Sequence, residues 1–286
     1  MSQFPADDAH RFLEPRGSMV TSGPVRLTAD GTELAVDVRG EGEAILFIHG
    51  FPLDRTLWRH QIATLSGWKR IAPDLRGFGG SAAPEGEYSM ARYALDLIEL
   101  LDHLGVQRAV VCGVSMGGYV AFELWRRIPD RIRALIFADT RAEADSPAGR
   151  QARDEMIQLA HTQGAAAIAD RMLPKLLSPV TAETQPEVLE QVRRMILGTP
   201  VRGIVGALEA IRDRPDSTPT ARSIAVPTLV LVGSDDALTP PSDARALASA
   251  VPGAQLTIIP GAGHLPPLEQ ALATSRVMSE FLHAIA

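Results

Sequence analysis

Cysteine, long apolar runs and blocks of like charge are scarce in this sequence of 286 residues. Its one cysteine, Cys112, excludes a disulfide framework within the chain. No uninterrupted apolar stretch reaches the roughly 18 residues that span a membrane. The net charge of −6 is not gathered into a basic patch, which argues against a nucleic-acid surface. These absences predict a globular protein that binds neither membranes nor nucleic acid.

The N-terminal stretch also lacks a feature, namely the apolar run of a secretory signal. Residues 1–23 are polar, so we expect a flexible N-terminal arm and a cytoplasmic protein. The remaining composition, with 45% apolar and 22% charged residues, is ordinary for a globular chain. The length suits one large α/β domain with an insertion.

Strand and helix patterns alternate along most of the chain, which predicts a mostly parallel sheet covered by helices on both faces. An alternating pattern across Asp30-Gly31 predicts a hairpin, which makes the sheet mixed. The eight strand patterns lie at 25–28, 34–38, 44–48, 70–74, 109–114, 134–138, 228–232 and 255–259. Helical patterns lie between them at 56–65, 90–104, 117–127 and 242–250, and a last one follows at 268–284.

A long stretch without strand patterns interrupts this alternation at residues 141–222. We predict a helical cap there, between the two parts of a core domain, 24–140 and 223–286. Such an insertion at the carboxyl edge of a sheet is either a lid over a ligand site or a packing appendage, and the topology favours the lid. Its four helical segments lie near 147–162, 164–177, 186–197 and 200–213. The prolines expected to separate them are Pro174, Pro179, Pro186 and Pro200.

The motif Gly113-Val-Ser-Met-Gly117 stands between a strand pattern and a helical pattern. In that context G-x-S-x-G forms a tight elbow that exposes the serine hydroxyl at the sheet edge. Ser115 is therefore the candidate nucleophile, the alternative being an incidental serine in a glycine-rich turn. Cys112, inside the preceding strand, fits a small core residue better than a nucleophile.

A serine nucleophile needs a base, and histidine suits that task. Three histidines follow Ser115 in the chain: His161, His264 and His283. His161 falls in the insertion and His283 in the last helical pattern. His264 follows the last strand at the carboxyl edge of the sheet, so topology favours it as the base.

The acid that orients the base should also follow a strand. Asp235 and Asp236 come after the strand at 228–232, and Asp139 follows the strand at 134–138. Adjacent aspartates also serve ordinary turns, so one of the first two is expected to do only that. We favour Asp236 and keep Asp235 and Asp139 as alternatives.

An oxyanion hole needs two N–H groups directed at one oxygen. Met116, next to the nucleophile, supplies one, and Phe51 in the loop after the strand at 44–48 supplies the other. His49 in that loop is expected to be structural, because its place in the topology does not fit the base.

No cofactor or metal site is predicted. The glycine-rich segment Asp74–Ser81 lacks both G-x-G-x-x-G and a phosphate-binding lysine, so we interpret it as a structural loop tied down by Asp74 and Arg76. The chain also lacks a His, Cys, Asp and Glu cluster with zinc-ligand spacing.

Together these motifs resemble the α/β-hydrolase fold, in the group of esterases and lactonases that includes 3-oxoadipate enol-lactonases and cofactor-free perhydrolases. The resemblance covers about residues 25–286. It implies an eight-stranded α/β-hydrolase core with a variable cap at 141–222, and it matches Asp236 to the family's acid. The motifs are His49-Gly-Phe-Pro52, Asp74-Leu-Arg-Gly-Phe-Gly-Gly-Ser81, Gly113-Val-Ser-Met-Gly-Gly118, Gly233-Ser-Asp-Asp-Ala-Leu-Thr-Pro240 and Gly261-Ala-Gly-His264.

Serine at position 115 argues against haloalkane dehalogenases and epoxide hydrolases of this fold, which carry aspartate there. The expected activity is hydrolysis of small to medium carboxylic esters by Ser115, His264 and Asp236. The alternatives are a lactonase, perhydrolysis as a side activity, and a receptor without turnover. The expected partner is a small ester or lactone, and the oligomeric state stays open, a homo-oligomer included.

The sequence also suggests which residues line the substrate pocket. An apolar pocket would use Phe51, Leu53, Met116, Met172, Leu173, Leu176 and Leu177. An inward-facing cap arginine would favour the lactonase, and the candidates are Arg150, Arg153, Arg171, Arg193, Arg194 and Arg202.

Overall fold

A mixed, mostly parallel sheet forms the centre of the computed structural model, which describes residues 21–27 and 30–285. Its order is β1-β2-β4-β3-β5-β6-β7-β8. β1 and β4 pair antiparallel with β2, and every other neighbouring pair is parallel. The strands are β1 (Thr21–Arg26), β2 (Glu33–Arg39), β3 (Ala44–Ile48), β4 (Lys69–Pro73), β5 (Ala109–Val114), β6 (Ile132–Ala138), β7 (Thr228–Gly233) and β8 (Gln255–Ile259).

The central strands are buried along their whole length because both faces of the sheet are covered. Every residue of β3, β5 and β7 is buried, which explains why these strands read as continuous apolar runs. Cys112 lies in β5 as a buried free cysteine.

Helices cover both faces of the sheet. On one side α1 packs against α11, and elsewhere α2 packs against α3. None of the helices in the described residues is long and apolar enough to cross a membrane. The helices are α1 (Arg59–Thr64), α2 (Met90–His103), α3 (Met116–Arg127), α4 (Pro147–Leu176), α5 (Pro179–Thr184), α6 (Pro186–Leu197), α7 (Val201–Arg212), α8 (Thr218–Arg222), α9 (Pro241–Ala250), α10 (Pro266–Glu269) and α11 (Ala271–Ala284).

The region between β6 and β7 is helical, as predicted, but its helices begin and end at positions that differ from the prediction. The break near residue 163 is present, as a kink at Gly164 with φ of 73°. Pro174 does not end a helix, because α4 continues past it to Leu176. Pro179 and Pro186 are instead the first residues of α5 and α6, where a missing N–H costs no helical hydrogen bond.

The first strand starts earlier than expected. Residues 21–23, which the sequence assigned to the flexible arm, pair with β2 as part of β1. The rest of that predicted arm, residues 1–20, lies outside the described residues. At the other end, the helix predicted at 268–284 is divided into α10 and α11 at Gln270.

The order of the strands changes direction beside β3. The chain moves from β3 to β4 on one side and then returns to β5 on the other. Ligands of open α/β sheets bind at the carboxyl ends of the strands at such a switch point. The loops after β3 and β5 therefore meet where a site is expected.

Candidate active site

Ser115 lies at the sharp turn between β5 and α3. It follows Val114, the last residue of the strand, and precedes Met116, the first residue of the helix. Its φ of 53° and ψ of −116° are values that few residues other than glycine adopt. Such backbone strain is concentrated at functional sites. The strand–turn–helix context expected for this motif is present.

Two glycines allow this turn to be so tight. A Cβ on Gly113 would lie 2.3 Å from the carbonyl oxygen of Gly117, and a Cβ on Gly117 would lie 2.4 Å from that of Ile48. Both distances are far below van der Waals contact. Any larger residue at either position would therefore push the elbow away from the neighbouring backbone.

His264 and Asp236 form a buried pair at the ends of neighbouring strands. Asp236 follows β7 and His264 follows β8, and Nδ1 of the histidine lies 2.8 Å from Oδ2 of the aspartate. The side chains are 2% and 0% exposed. A proton on Nδ1 satisfies this bond and leaves Nε2 free to accept a proton.

The surroundings of Asp236 favour its ionised form. Thr239 Oγ1 donates to Oδ2 at 2.7 Å, and the N–H groups of Leu238 and Thr239 donate to Oδ1 at 2.8 and 3.0 Å. Burial by itself raises the pKa of the Asp236 carboxyl. The charge of His264 and these hydrogen bonds outweigh that effect and lower the pKa to about 2.

The other candidates for acid and base occupy different surroundings. His283 lies on α11 and bonds through Nδ1 to the carbonyl of Ser279, and His161 lines a separate groove. Asp235 is exposed and bonds to the hydroxyl of Ser234. Asp139 is fully buried and close to Asp236.

A cavity of about 340 Å³ connects the elbow to the helical insertion. Ser115 and His264 line it from the sheet side, whereas Met156 and Met172 line it from the insertion. Among the described residues the Ser115 hydroxyl has no hydrogen-bond partner. Catalytic hydrogen bonds are often formed only once substrate binds.

The predicted apolar lining is present only in part. Phe51 and Met172 line the cavity, but the other five predicted residues are buried elsewhere in the core. Those five are Leu53, Met116, Leu173, Leu176 and Leu177. The sequence identified them as apolar without showing which side of each helix or loop faces the cavity.

The cavity carries more charge than the sequence indicated. Among the described residues, four cationic side chains line it, namely Arg141, Arg153, Arg171 and Lys175, against the single carboxylate of Asp145. Asp145 is itself bound by Arg153 at 3.0 Å and by Arg214 at 2.8 Å. Arg171 and Lys175 make no ion pair with any described residue. Arg141 was missed, although its place just after β6 already puts it at the carboxyl edge.

The two predicted oxyanion residues lie on either side of the elbow. Met116 begins α3, so its N–H is among those at a helix start that lack a helical acceptor. Phe51 lines the cavity from the loop after β3. That loop approaches the elbow closely, because a Cβ on Gly50 would lie 3.1 Å from Cβ of Ser115.

His49 and the glycine-rich loop have structural contacts. Nδ1 of His49 bonds to the carbonyl of Gly50, and Nε2 accepts the N–H of Leu75, both at 2.9 Å. Asp74 accepts the N–H groups of Arg55 and Gly80, each at 2.7 Å. Arg76 forms a buried ion pair with Asp96 and a further ion pair with Asp30.

Glu269 is a residue of this region that sequence reasoning missed. This buried side chain accepts the N–H of Leu265, next to His264, at 3.0 Å and that of Ser178, the N-cap of α5 in the insertion, at 2.7 Å. The N–H of His264 in turn donates to the carbonyl of Leu176 at 3.0 Å. The loop that carries His264 is thus bound directly to the insertion.

Comparison with known proteins agrees with this architecture. Residues 43–271 match the profile of the alpha/beta hydrolase fold. The 3-oxoadipate enol-lactonase 2 of Acinetobacter baylyi is 30% identical over 250 residues, which is 86% of this chain and 92% of that protein.

Solved structures give the same result. A thermophilic esterase from Thermogutta terrifontis, with malate bound, has a TM-score of 0.89 at 40% identity, over 93% of this chain and 99% of that one. An enol-lactonase from Burkholderia xenovorans has a TM-score of 0.85 at 32% identity, over 91% and 100% of the two chains. The chain therefore belongs to the α/β-hydrolase fold family, and its relatives include an esterase and enol-lactonases.

Proposed function

We propose that this hydrolase cleaves carboxylic esters through an acyl-enzyme intermediate on Ser115. The observation that carries the proposal is the buried 2.8 Å hydrogen bond between His264 and Asp236, beside a cavity that Ser115 also lines. A serine hydroxyl is a weak nucleophile until a base takes its proton, and the base needs a group that fixes its tautomer. The similarity to an esterase and to enol-lactonases supports the same chemistry.

In this mechanism Ser115 Oγ attacks the ester carbonyl while Nε2 of His264 takes its proton. The N–H groups of Met116 and Phe51 stabilise the oxyanion of the tetrahedral intermediate. His264 then gives the proton to the leaving alcohol, and the acyl group stays on Ser115. Water, activated by the same histidine, releases the acid and regenerates the serine.

The proposed substrates are small to medium esters because the cavity is small. A volume of about 340 Å³ lies near the lower end of the range of ligand pockets, roughly 300–1,000 Å³. The insertion contributes Met156 and Met172 to the cavity wall. We therefore propose that residues 141–222 act as a cap that limits the length of the acyl chain.

Chain length should decide the rate on p-nitrophenyl esters. We expect turnover of the acetate and butyrate esters, with kcat/KM for the palmitate ester lower by about tenfold or more because its chain exceeds the cavity. Steady-state release of p-nitrophenol measures this, with boiled protein correcting for spontaneous hydrolysis. A rate that increases with chain length would contradict the proposed size limit, and inertness toward the whole series would contradict ester hydrolysis.

A lactonase is the second candidate, and the cations at the cavity favour it. Arg171 and Lys175 have no ion-pair partner among the described residues, whereas the one carboxylate there, Asp145, is already bound by two arginines. A lactone or ester that carries its own carboxylate would find unpaired positive charge in the cavity. The ring-opening step would use the same serine, histidine and aspartate.

Arg171→Gln should separate charged from neutral substrates. For monoethyl adipate we expect KM to increase about two- to fivefold, the scale of an exposed ion pair, because Arg171 is exposed, while KM for diethyl adipate stays unchanged. Arg194→Gln is the matched control, because Arg194 is not among the residues that line the cavity and pairs, within the described part of the chain, with Glu190 on its own helix. An equal effect of Arg171→Gln on both substrates would contradict charge selection, and raised salt should weaken the preference.

A further inference from the structure

Asp139 is a buried carboxyl that the proposed mechanism does not use. It follows β6, is fully buried and has a φ of 44°. Its Oδ1 accepts the N–H of Gly233 at 2.8 Å, which attaches it to the start of the loop that carries Asp236. Within the described part of the chain, no N–H or O–H group donates to Oδ2. A buried polar atom without a partner calls for a physical explanation.

The groups around Asp139 are those of the proposed catalytic pair. An oxygen of Asp139, an oxygen of Asp236 and a ring nitrogen of His264 lie within 4.8 Å of one another, and all three residues are buried. The charge of Glu269 also raises the pKa of the Asp139 carboxyl. Two ionised carboxylates so close together and away from water would be costly. A proton on one of the two carboxyls removes this cost.

The hydrogen bonds decide which carboxyl holds it. From the described residues Asp236 accepts four hydrogen bonds, one of them from His264, whereas Asp139 accepts one. Hydrogen bonds to an ionised group stabilise it, so the negative charge resides on Asp236. In agreement, burial raises the pKa of the Asp139 carboxyl well above its usual range, and the charge of Asp236 raises it further. A proton on Asp139 lets this carboxyl donate to Asp236, and that side-chain hydrogen bond also raises the pKa of the Asp139 carboxyl.

We propose that Asp139 is a protonated positioning residue that anchors the Asp236 loop and keeps this buried cluster at a single negative charge. Its kinetic consequence rests on the proposed function. A second negative charge would stabilise protonated His264. The acidic limb of the pH profile of kcat/KM, where the rate rises as His264 loses its proton, would then move to higher pH. The anchor to Gly233 holds the loop from which Asp236 reaches His264.

A metal ion shared by the three groups is the competing occupant. Nδ1 of His264 and Oδ2 of Asp236 form a hydrogen bond, and a metal at Nδ1 would displace its proton. Incubation with EDTA should therefore leave activity unchanged. Loss of activity that Zn²⁺ restores would overturn the proposal.

Asp139→Asn and Asp139→Gly test the kinetic part. Asparagine replaces the protonated carboxyl with a neutral group of the same shape, so we expect kcat within about twofold of wild type and an unmoved acidic limb. Glycine tolerates the positive φ but removes the side chain, so kcat should fall roughly tenfold with little change in KM. A shift of the acidic limb to lower pH by about one unit or more in Asp139→Asn would show that Asp139 is ionised and would overturn the proposal. An unchanged kcat in Asp139→Gly would contradict the proposal that the Asp139 side chain anchors the Asp236 loop.

Thermal unfolding tests whether Asp139 is protonated in the folded protein, and this measurement does not depend on enzymatic activity. If folded Asp139 keeps a proton that the unfolded chain loses near pH 4, the contribution of this residue to wild-type stability falls as pH rises above that value. Asparagine has no proton to take up, so the Tm advantage of Asp139→Asn over wild type should grow from pH 5 to pH 9. A pH-independent difference would contradict protonation of Asp139. This result stands even if the protein hydrolyses no ester, so the two proposals fail separately.

Discussion

Ser115→Ala is expected to reduce kcat for p-nitrophenyl butyrate by about 10⁴-fold or more. The alanine variant keeps the cavity, the His264–Asp236 pair and the N–H groups of the elbow, but it has no oxygen to form the acyl-enzyme. What remains is the modest acceleration that binding and the oxyanion hole give to attack by water. Binding of substrate should change little, because the hydroxyl makes no hydrogen bond with the described residues.

Steady-state kinetics and covalent labelling measure this effect together. A fluorophosphonate should add one adduct per chain to the wild type, on the peptide that contains Ser115, and none to the variant. Ser146→Ala is the control, because it removes another serine hydroxyl from the same cavity, one that caps α4 through a hydrogen bond from Gly149. This variant should still be labelled on Ser115. Near wild-type kcat in Ser115→Ala would contradict the proposed nucleophile.

Asp236→Asn is expected to reduce kcat by about 10⁴-fold, the scale of the same change in other Ser-His-Asp triads. The asparagine amide can donate to Nδ1 of His264, which favours the tautomer with its proton on Nε2. In that tautomer the histidine cannot accept the proton of Ser115. The backbone donors Leu238 and Thr239 can still bond to the amide oxygen, so the loop should keep its conformation.

The neighbouring residue provides the matched control. Asp235→Asn makes the same chemical change one position away, on an exposed side chain that bonds to Ser234, and should leave kcat unchanged. Circular dichroism and Tm show whether either variant is folded. If Asp236→Asn retained most of its rate, a different carboxyl would have to orient His264, and Asp139 would be the candidate.

Local signals were sufficient for the sheet and for the elbow. Continuous apolar runs fixed the buried strands, because a strand covered on both faces has no polar positions to alternate with. The spacing of Gly113 and Gly117 predicted a turn too tight for a Cβ, and the close approaches measured there agree. The family assignment also followed from motifs at the strand ends, since these loops carry the chemistry in this fold.

Local sequence patterns did not predict the features that depend on packing between distant segments. Pro174 was expected to separate helices, yet α4 continues through it because the apolar side of that helix packs on its neighbours. The predicted apolar lining was mostly core, and the charged lining included Arg141 and Lys175, which the sequence did not single out. A helical pattern shows that one face is apolar, but it does not show what that face contacts.

By itself the sequence determined the fold family, the three candidate residues Ser115, Asp236 and His264, and their order along the chain. Only the tertiary structure decided that Asp236 and His264 pair at 2.8 Å, that the cavity is small and cationic, and that Asp139 lies beside them. The reason is distance along the chain. A turn or a strand depends on neighbours a few residues away, whereas the cavity and the carboxyl pair unite segments that are about a hundred residues apart and meet only when the sheet is complete.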